Sequence, residues 1–250
     1  MPRIGFTNRK NYPEYVVDAC KKVSASYDKG DADYSVTTII DSPRIHFLKE
    51  RHDYTEDVDA LLKATWGTIL HSIYEDTTQQ RLFYTVGTVV ISGLPDRVDC
   101  VSLGLNADDA TKYPGYGFQT VLRDIKFTDK KSNSNPALKL KWEQQLNIYR
   151  AMHHLRIDAL FIDQYYWDHT NASRLPKINT WEAPLWDLEY ADRFIGERVE
   201  VFEAEKLKPD ADLCLCLSSE TWYGARCRLY CPVADVCKQL LSHEPCVEVE

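Results

Sequence analysis

Length, composition and charge are those of an ordinary globular protein. The chain has 250 residues, of which 44% are hydrophobic and 27% are charged, so it can bury a sizeable core. The net charge of −8 at pH 7 argues against a protein that coats nucleic acid non-specifically, although it is compatible with a locally basic groove. The first residues lack the apolar stretch of a signal peptide, and no apolar run reaches the ~18 residues of a membrane span. We therefore expect a soluble, cytoplasmic protein with no membrane partner.

Hydrophobic periodicity predicts the secondary-structure elements in chain order. Helical patterns cover residues 13–26, a segment that starts at Ser42–Pro43, and residues 56–77, 135–155 and 185–207. Strand patterns cover residues 81–93, 94–105, 118–127 and 157–168, with a turn near Gly93 and a loop over 106–117. This order predicts an α/β fold with a central mixed sheet flanked by helices. We expect an N-terminal helical region over 1–60, a core over 61–210 and a cysteine-rich tail over 211–250.

The predicted strand FQTVLRDIKFT places an acid and a base on either side of Ile125. Residues i and i+2 of a strand share one face, so Asp124 and Lys126 should lie side by side while Ile125 turns towards apolar packing. An exposed ion pair is the simpler interpretation, because surface ion pairs are common and individually weak.

A second carboxylate, Asp96, directly follows the predicted turn GLP. It can meet Asp124 if the strands that carry the two residues are neighbours in the sheet. Two carboxylates at one end of a sheet favour a hard cation such as Mg²⁺. A lysine beside them can orient water or stabilise the charge that develops on a phosphate. The combination suits metal-assisted phosphodiester hydrolysis, although Asp96 can also be a plain turn residue.

Polar residues on two predicted helices can complete such a site. His71 follows Gly67 by one helical turn on a mostly apolar helix, where it is either a core residue or a metal ligand that also makes Mn²⁺ suitable. Gln145 and Tyr149 are spaced i, i+4 and share one helix face. They form either a solvated glutamine beside a half-buried tyrosine or a polar pair directed at a phosphate or a base.

The segments GTILH, GLPDRVD, LRDIKF and QLNIY, in that order, resemble the RecB-type branch of the PD-(D/E)XK nuclease superfamily. This branch includes helicase-nuclease subunits, CRISPR-adaptation nucleases and many phage exonucleases. The resemblance spans roughly Gly67 to Tyr149 and implies a restriction-endonuclease-like core. It implies a Mg²⁺- or Mn²⁺-dependent exonuclease that hydrolyses DNA from free ends, in phage-type recombination or repair, with a single-strand annealing recombinase as a partner.

The resemblance also implies roles for individual residues. The implied ligands of Mg²⁺ or Mn²⁺ are His71, Asp96, Asp124 and the main-chain carbonyl of Ile125. Lys126 is the implied catalytic lysine, acting together with Asp96 and Asp124. Gln145 and Tyr149 match the motif that places the DNA strand, and we expect Arg123 to contact phosphate.

The tail contains six of the eight cysteines, between Cys214 and Cys246. In an intracellular chain this density favours a metal site over disulfides. Four cysteines can hold Zn²⁺ or a [4Fe–4S] cluster, namely Cys216, Cys227, Cys231 and Cys237. Unrelated buried cysteines are the alternative.

The segment CRLYCPVADVC, which contains Cys227, Cys231 and Cys237, resembles the last three ligands of the iron–sulfur cluster found in many members of the RecB-type branch. The first ligand of that cluster comes from an upstream Cys-Pro-Arg, where this chain has Ser42-Pro43-Arg44. We therefore favour Cys216 as the fourth ligand, with Cys214 and Cys20 as alternatives, and iron–sulfur slightly over zinc. The metal is expected to attach the tail to the core.

Three other functions stay open at this point. The chain can be a DNA-end-binding recombination accessory protein with weak or no catalysis, or a CRISPR-adaptation-like nuclease. It can also be a metal-stapled interaction protein in which the motif matches are fortuitous. Lysines between Lys126 and Lys141 can follow a DNA backbone, in which case DNA binding weakens with salt.

Overall fold

A computed structural model describes residues 2–25, 29–74, 80–102, 118–170 and 177–241. The predicted loop over 106–117 lies outside these residues. The chain divides into two compact units. The first unit comprises Met1–Asp28, Thr37–Thr65 and Gly196–Glu250, and the second comprises Lys29–Val36 and Trp66–Ile195. The three-part division into 1–60, 61–210 and 211–250 stays a prediction.

Helices and strands alternate along the chain, which confirms the α/β class. The helices are α1 (Glu14–Ala25), α2 (Val36–Ile39), α3 (Pro43–Arg51), α4 (Val58–Tyr74), α5 (Pro136–Met152), α6 (Leu188–Lys206), α7 (Ala225–Leu229) and α8 (Ala234–Leu241). The strands are β1 (Ile4–Thr7), β2 (Tyr34–Ser35), β3 (Tyr54–Asp57), β4 (Leu82–Val86), β5 (Val89–Gly93), β6 (Arg97–Ser102), β7 (Phe118–Thr128), β8 (Ala159–Tyr166) and β9 (Ile178–Ala183). Within the described ranges, no helix combines the length and the apolar character that crossing a membrane requires.

The described strands form separate sheets and not one central sheet. In the first unit, β1 pairs in parallel with β3. In the second unit, β5 lies between β2 and β4, and a four-stranded mixed sheet has the order β6-β7-β8-β9. Its middle pair, β7 and β8, is parallel, and both outer pairs are antiparallel.

The segment 81–93, predicted as one strand, is a hairpin of β4 and β5. The chain reverses at Gly87, where φ is +60°. Glycine adopts positive φ without steric cost, and a two-residue turn with glycine first matches the twist of the flanking strands. The single-strand prediction was wrong because the apolar pattern continues on both sides of this turn.

Helix α5 covers one face of the four-stranded sheet. The helix begins at Pro136, and the Asn135 side chain caps it by accepting hydrogen bonds from the N–H groups of Ala137 and Leu138. On β8 every second residue is buried, including Leu160 and Ile162. This alternation identifies the buried face of the sheet. Because β7 pairs in register with β8, with Asp124 opposite Ile162, it also identifies the face on which each side chain of β7 lies.

The core of the first unit contains aromatic and aliphatic side chains of α3 and α6. The rings of Phe47 and Phe202, both fully buried, have centroids 5.9 Å apart. Pro43 occupies the first turn of α3, where its missing N–H leaves no helical bond unmade. This packing holds the N-terminal end of α3 in a fixed position within the unit.

Gly93, at the end of β5, lies directly against the ring of Tyr149. A Cβ at this position would lie 2.5 Å from Tyr149 Cε1 and 3.0 Å from Val36 Cγ2. We expect Gly93→Ala to lower the free energy of unfolding by about 1–3 kcal/mol, because overpacking displaces the ring or the strand. Urea denaturation measures this change.

Gly196→Ala is the matched control, because no atom would lie within 4 Å of its added Cβ. Gly196 is in the interior of α6, so alanine should stabilise the chain by up to about 1 kcal/mol. Equal stability of Gly93→Ala and the wild type would contradict the close packing of Tyr149 on β5.

Candidate active site

The pairing of β6 with β7 brings the two carboxylates together. Arg97 pairs with Arg123 in this antiparallel ladder, so Asp96, one residue earlier, lies near Asp124. Asp96 Oδ2 accepts a hydrogen bond of 2.6 Å from the backbone N–H of Ile125. The expectation that the two strands are neighbours is confirmed, and β7 itself positions the Asp96 side chain.

Asp124 is buried, with only 1% of its surface exposed, and it faces Lys126. The Lys126 ammonium lies 2.7 Å from Asp124 Oδ2. This contact is an ion pair, and Oδ2 makes no well-formed hydrogen bond with any described residue. The exposed ion pair considered from sequence is therefore wrong, and this buried carboxylate oxygen keeps acceptor capacity for a further cation.

Lys126 connects the carboxylates to α5. Its ammonium donates a 3.0 Å hydrogen bond to Gln145 Oε1, and Gln145 Nε2 donates to the hydroxyl of Tyr149 at 3.0 Å. Gln145 and Tyr149 are both buried, which excludes the solvated glutamine as an interpretation. The two residues hold the lysine side chain from the helix above the sheet.

His71 completes the cluster from α4. Its Nδ1 lies 2.9 Å from Asp96 Oδ1, and about one third of its side chain is exposed. It is therefore not a core histidine. A Cβ added at Gly67 would have no neighbour within 4 Å among the described residues. No other described backbone segment therefore approaches the helix closely at this glycine.

Arg123 is not brought to this cluster. Strand alternation turns it to the opposite face from Asp124, where it bonds Asp163 at 3.1 and 3.2 Å and lies 3.3 Å from Asp99. Its guanidinium also stacks over Phe161. Sequence reasoning missed these two acidic partners, although the period of the strand already places Arg123 on the other face.

Burial and mutual charge shift the protonation of the cluster. Burial raises the pKa of Asp124 to about 7, aided by the charge of Asp96 and opposed by Lys126. Burial also opposes ionisation of Asp96, but the hydrogen bond and charge of His71 outweigh it and lower the pKa of Asp96. For His71, burial disfavours the charged form, yet Asp96 prevails and raises its pKa.

The chemistry of this donor set fits a hard cation, although the side chains pair with each other. The carboxylates of Asp96 and Asp124 and the imidazole of His71 are suitable ligands for Mg²⁺ or Mn²⁺. One of these carboxylate oxygens, Asp124 Oδ2, is buried and lacks a well-formed hydrogen bond with any described residue. Among the residues that the structure describes, no group of three or more His, Cys, Asp or Glu side chains is arranged to hold a metal ion. The metal-binding roles of His71, Asp96, Asp124 and Ile125 stay predictions.

A second cluster lies in the first unit, where the cysteine-rich tail meets the start of α3. Ser42 Oγ lies 3.0 Å from Cys216 Sγ, and Arg44 Nε donates to Cys237 Sγ at 3.2 Å. Cys216 thus lies beside the serine that occupies the upstream ligand position of the family resemblance. The cysteines in the described part of the chain are free thiols, and Cys246 lies outside that part.

The predicted ligands are close enough to influence one another. Burial raises the pKa of Cys216 to about 12, while Ser42 opposes the shift and Cys237 and Cys227 add to it. Burial likewise raises the pKa of Cys231, with smaller contributions from the two neighbouring thiols Cys227 and Cys237. Cys216 and Cys231 must therefore lose protons to bind a metal as thiolates.

The two alternative ligands have less suitable surroundings. The backbone N–H of Cys214 donates to Glu205, and burial together with that carboxylate raises the pKa of its thiol to about 11. Cys20 is fully buried among Val17 and Val58. Cys216 interacts with the predicted ligands Cys237 and Cys227, whereas Cys214 interacts with Glu205 and Cys20 lies in an apolar pocket, so Cys216 has the best position of the three.

Comparison with known proteins gives a similarity of fold and no family. No protein-family model matches the chain, and no curated protein matches its sequence. The crystal structure of SSO0001 is similar to this chain, with a TM-score of 0.52 and 16% sequence identity over 91% of this chain and 96% of that one. At this identity the similarity concerns the α/β fold alone.

The contact between His71 and Asp96 predicts a measurable shift. Asp96→Asn removes the charge that raises the pKa of His71 and leaves the burial that lowers it. In metal-free protein the pKa of His71 should therefore fall, so that the ring loses its proton at lower pH. A histidine NMR titration in the presence of a chelator measures both proteins.

His153 is the internal control for this titration. Burial and the charge of His154 lower its pKa, and its ring accepts a hydrogen bond from the N–H of Leu155, which is not part of the carboxylate cluster. Its titration should be the same in both proteins. An unchanged pKa at His71 would show that Asp96 does not face the ring.

Proposed function

We propose that this protein is a Mg²⁺- or Mn²⁺-dependent deoxyribonuclease with a restriction-endonuclease-like core. The observation that carries the proposal is the buried Asp124, with an incompletely satisfied oxygen, beside Lys126 and Asp96. A structural ion pair has no need of a second buried carboxylate bound to the backbone of the same strand. The order of motifs along the chain supports the same activity.

The proposed metal ligands are His71, Asp96, Asp124 and the carbonyl of Ile125. The bond from the Ile125 N–H fixes one oxygen of Asp96, which leaves the other oxygen, now 2.9 Å from His71, for a cation. A bound divalent ion supplies positive charge that stabilises the phosphate as the phosphodiester bond breaks.

Lys126 orients the attacking water and stabilises charge developing on the phosphate. Gln145 restrains its ammonium through the 3.0 Å hydrogen bond, so the side chain loses little further freedom when substrate binds. Tyr149 restrains Gln145 in turn. With Lys126 so held, Gln145 and Tyr149 place the DNA strand relative to the carboxylates.

The proposed substrate is DNA with free ends. The chain is acidic overall, so binding depends on a local set of lysines around β7 and α5, namely Lys126, Lys130, Lys131, Lys139 and Lys141. Contacts to phosphate release counterions, and the affinity therefore falls with salt. A role in recombination or repair, with a single-strand annealing recombinase as partner, is part of this proposal.

The tail carries the second proposed metal centre, a [4Fe–4S] cluster or Zn²⁺ held by Cys216, Cys227, Cys231 and Cys237. The 3.0 Å contact of Cys216 with Ser42 supports Cys216 as the fourth ligand. The four cysteines would then be joined to one another through the metal, next to Ser42 and Arg44 at the start of α3. The binding free energy of the metal then contributes to folding of the first unit.

DNA-end binding without catalysis is the second candidate. It is favoured by the pairing of His71 with Asp96 at 2.9 Å and of Lys126 with Asp124 at 2.7 Å, in which each carboxylate already has a basic side chain beside it. Under this alternative, the protein protects or marks DNA ends and cleaves nothing.

The nuclease proposal predicts a difference between linear and circular DNA. Linear and closed-circular duplexes are incubated with Mg²⁺ or Mn²⁺ and either wild type or Lys126→Ala. Wild type should degrade linear DNA and spare the circles. Lys126→Ala should lower the rate at least ~10²-fold, because it removes the cation beside the scissile phosphate. Gel electrophoresis measures the products.

Lys206→Ala is the matched control lysine. Lys206 is half-exposed and pairs with Glu203 at 3.4 Å in the first unit, so its loss should leave cleavage within about twofold, as expected for a weak surface pair. Failure of the wild type to cut either substrate with either metal would refute the nuclease. Retention of linear ends in a gel-shift assay would then identify the end-binding protein.

A further inference from the structure

Arg44 is a buried cation that contacts no carboxylate in the described part of the chain. Only 1% of its surface is exposed. Its Nη1 donates to the backbone carbonyl of Leu213 at 2.7 Å and its Nε to Cys237 Sγ at 3.2 Å, while Nη2 has no partner. A guanidinium stays protonated in proteins. The first unit thus buries a full positive charge beside a thiol.

Two other arginines of this unit, Arg226 and Arg198, are largely buried and have carboxylate partners. Arg226 donates to both oxygens of Asp41, and Arg198 lies 3.4 Å from Glu220. Burying a charge without a counterion is strongly unfavourable, and these two residues avoid that cost. Arg44 is more deeply buried than either of them, so the missing countercharge requires an explanation.

A neutral thiol does not compensate a guanidinium, but a metal–thiolate centre does. Four thiolates around Zn²⁺ or around a [4Fe–4S] core carry net negative charge, and hydrogen bonds to their sulfur atoms tune such centres. Arg44 and Ser42 approach two of the predicted ligands, Cys237 and Cys216, from the start of α3. The unsatisfied Nη2 is a further donor in the same place.

We propose that Arg44 is the countercharge of an anionic metal–thiolate centre formed by Cys216, Cys227, Cys231 and Cys237. It is a positioning residue: it binds no metal, but it stabilises the thiolates and holds Cys237 through a hydrogen bond. The inference rests on the cysteine centre of the proposed function and is independent of the nuclease. Loss of metal leaves Arg44 buried without a counterion, which links metal binding to stability of the first unit.

The experiment compares metal retention in wild type, Arg44→Gln and Arg44→Lys, each purified without oxygen as the full chain. Iron, acid-labile sulfide and zinc are measured per chain, followed by the rate of metal release into excess EDTA. Arg44→Gln keeps a polar side chain and loses the charge, so we expect release at least tenfold faster. Arg44→Lys keeps the charge and should stay within about threefold of wild type.

Arg51→Gln is the matched control on the same helix. Arg51 bonds the carbonyls of Lys206 and Lys208 and the carboxylate of Asp210, and it contacts no thiol. Its loss removes comparable hydrogen bonds from α3, so metal release should stay within about twofold of wild type. Faster release in this variant, equal to that of Arg44→Gln, would overturn the proposal.

A redox measurement separates charge from packing if the metal is iron. A nearby cation stabilises the more negative, reduced cluster, so Arg44→Gln should lower the midpoint potential while Arg51→Gln leaves it unchanged. An unchanged potential in Arg44→Gln would contradict a countercharge. Arg44→Met replaces Arg44→Gln in both measurements if the glutamine variant does not fold.

Three further outcomes would overturn the inference. Wild-type retention of metal in Arg44→Gln, or equally fast release from Arg44→Lys and Arg44→Gln, would show that charge is not required. Wild type without iron or zinc would refute the cysteine centre itself. Cleavage of linear DNA in the same preparations reports on the nuclease separately, so the two failures are distinguishable.

Discussion

The antiparallel pairing of β6 with β7 is the constraint on which the candidate site depends. It brings Asp96 to the backbone N–H of Ile125 and buries Asp124 beside it. Two carboxylates so close repel each other when ionised, and burial strengthens the repulsion. Lys126 and His71 oppose protonation of Asp124, but burial, aided by the charge of Asp96, raises its pKa to about 7. A further cation would remove the remaining imbalance.

Each unit buries a charged side chain with an atom that lacks a well-formed hydrogen bond, and the two side chains carry opposite charges. In the second unit a buried carboxylate oxygen of Asp124 lacks a well-formed hydrogen bond, and in the first a buried guanidinium nitrogen of Arg44 lacks one. Buried polar groups are nearly always satisfied in native proteins. These two exceptions lie beside residues that we propose as metal ligands, and a third, Gln164 Nε2, lies on β8. The same arrangement therefore supports a cation at Asp124 and an anionic centre at Arg44.

Rigid packing holds both groups in place. Gly93 lets the Tyr149 ring lie against β5, and through Gln145 this ring restrains Lys126. In the first unit, Phe47 packs on Phe202 and fixes α3, whose first turn carries Arg44. Preorganised groups lose less freedom when a ligand binds, so packing distant from the chemistry sets its geometry.

The local sequence pattern was sufficient to place side chains that belong to the same helix or strand. Period-2 alternation placed Asp124 and Lys126 on one face, and helical spacing placed Gln145 with Tyr149. The same local reasoning missed the β4–β5 hairpin, because apolar residues continue through the turn at Gly87. It also passed over the partners of Arg123, Asp99 and Asp163, which lie on neighbouring strands.

The sequence by itself determined the α/β class, the principal helices and strands, and the residues that can carry the chemistry. Only the tertiary structure decided that Asp124 is buried, that Asp96 is bound by the Ile125 N–H, and that Cys216 lies beside Ser42. The physical reason is that periodicity is a local property, which indicates only the face of its own helix or strand on which a side chain lies. Burial, hydrogen-bond partners and countercharges come from elements distant in the chain, as when Arg44 meets Cys237.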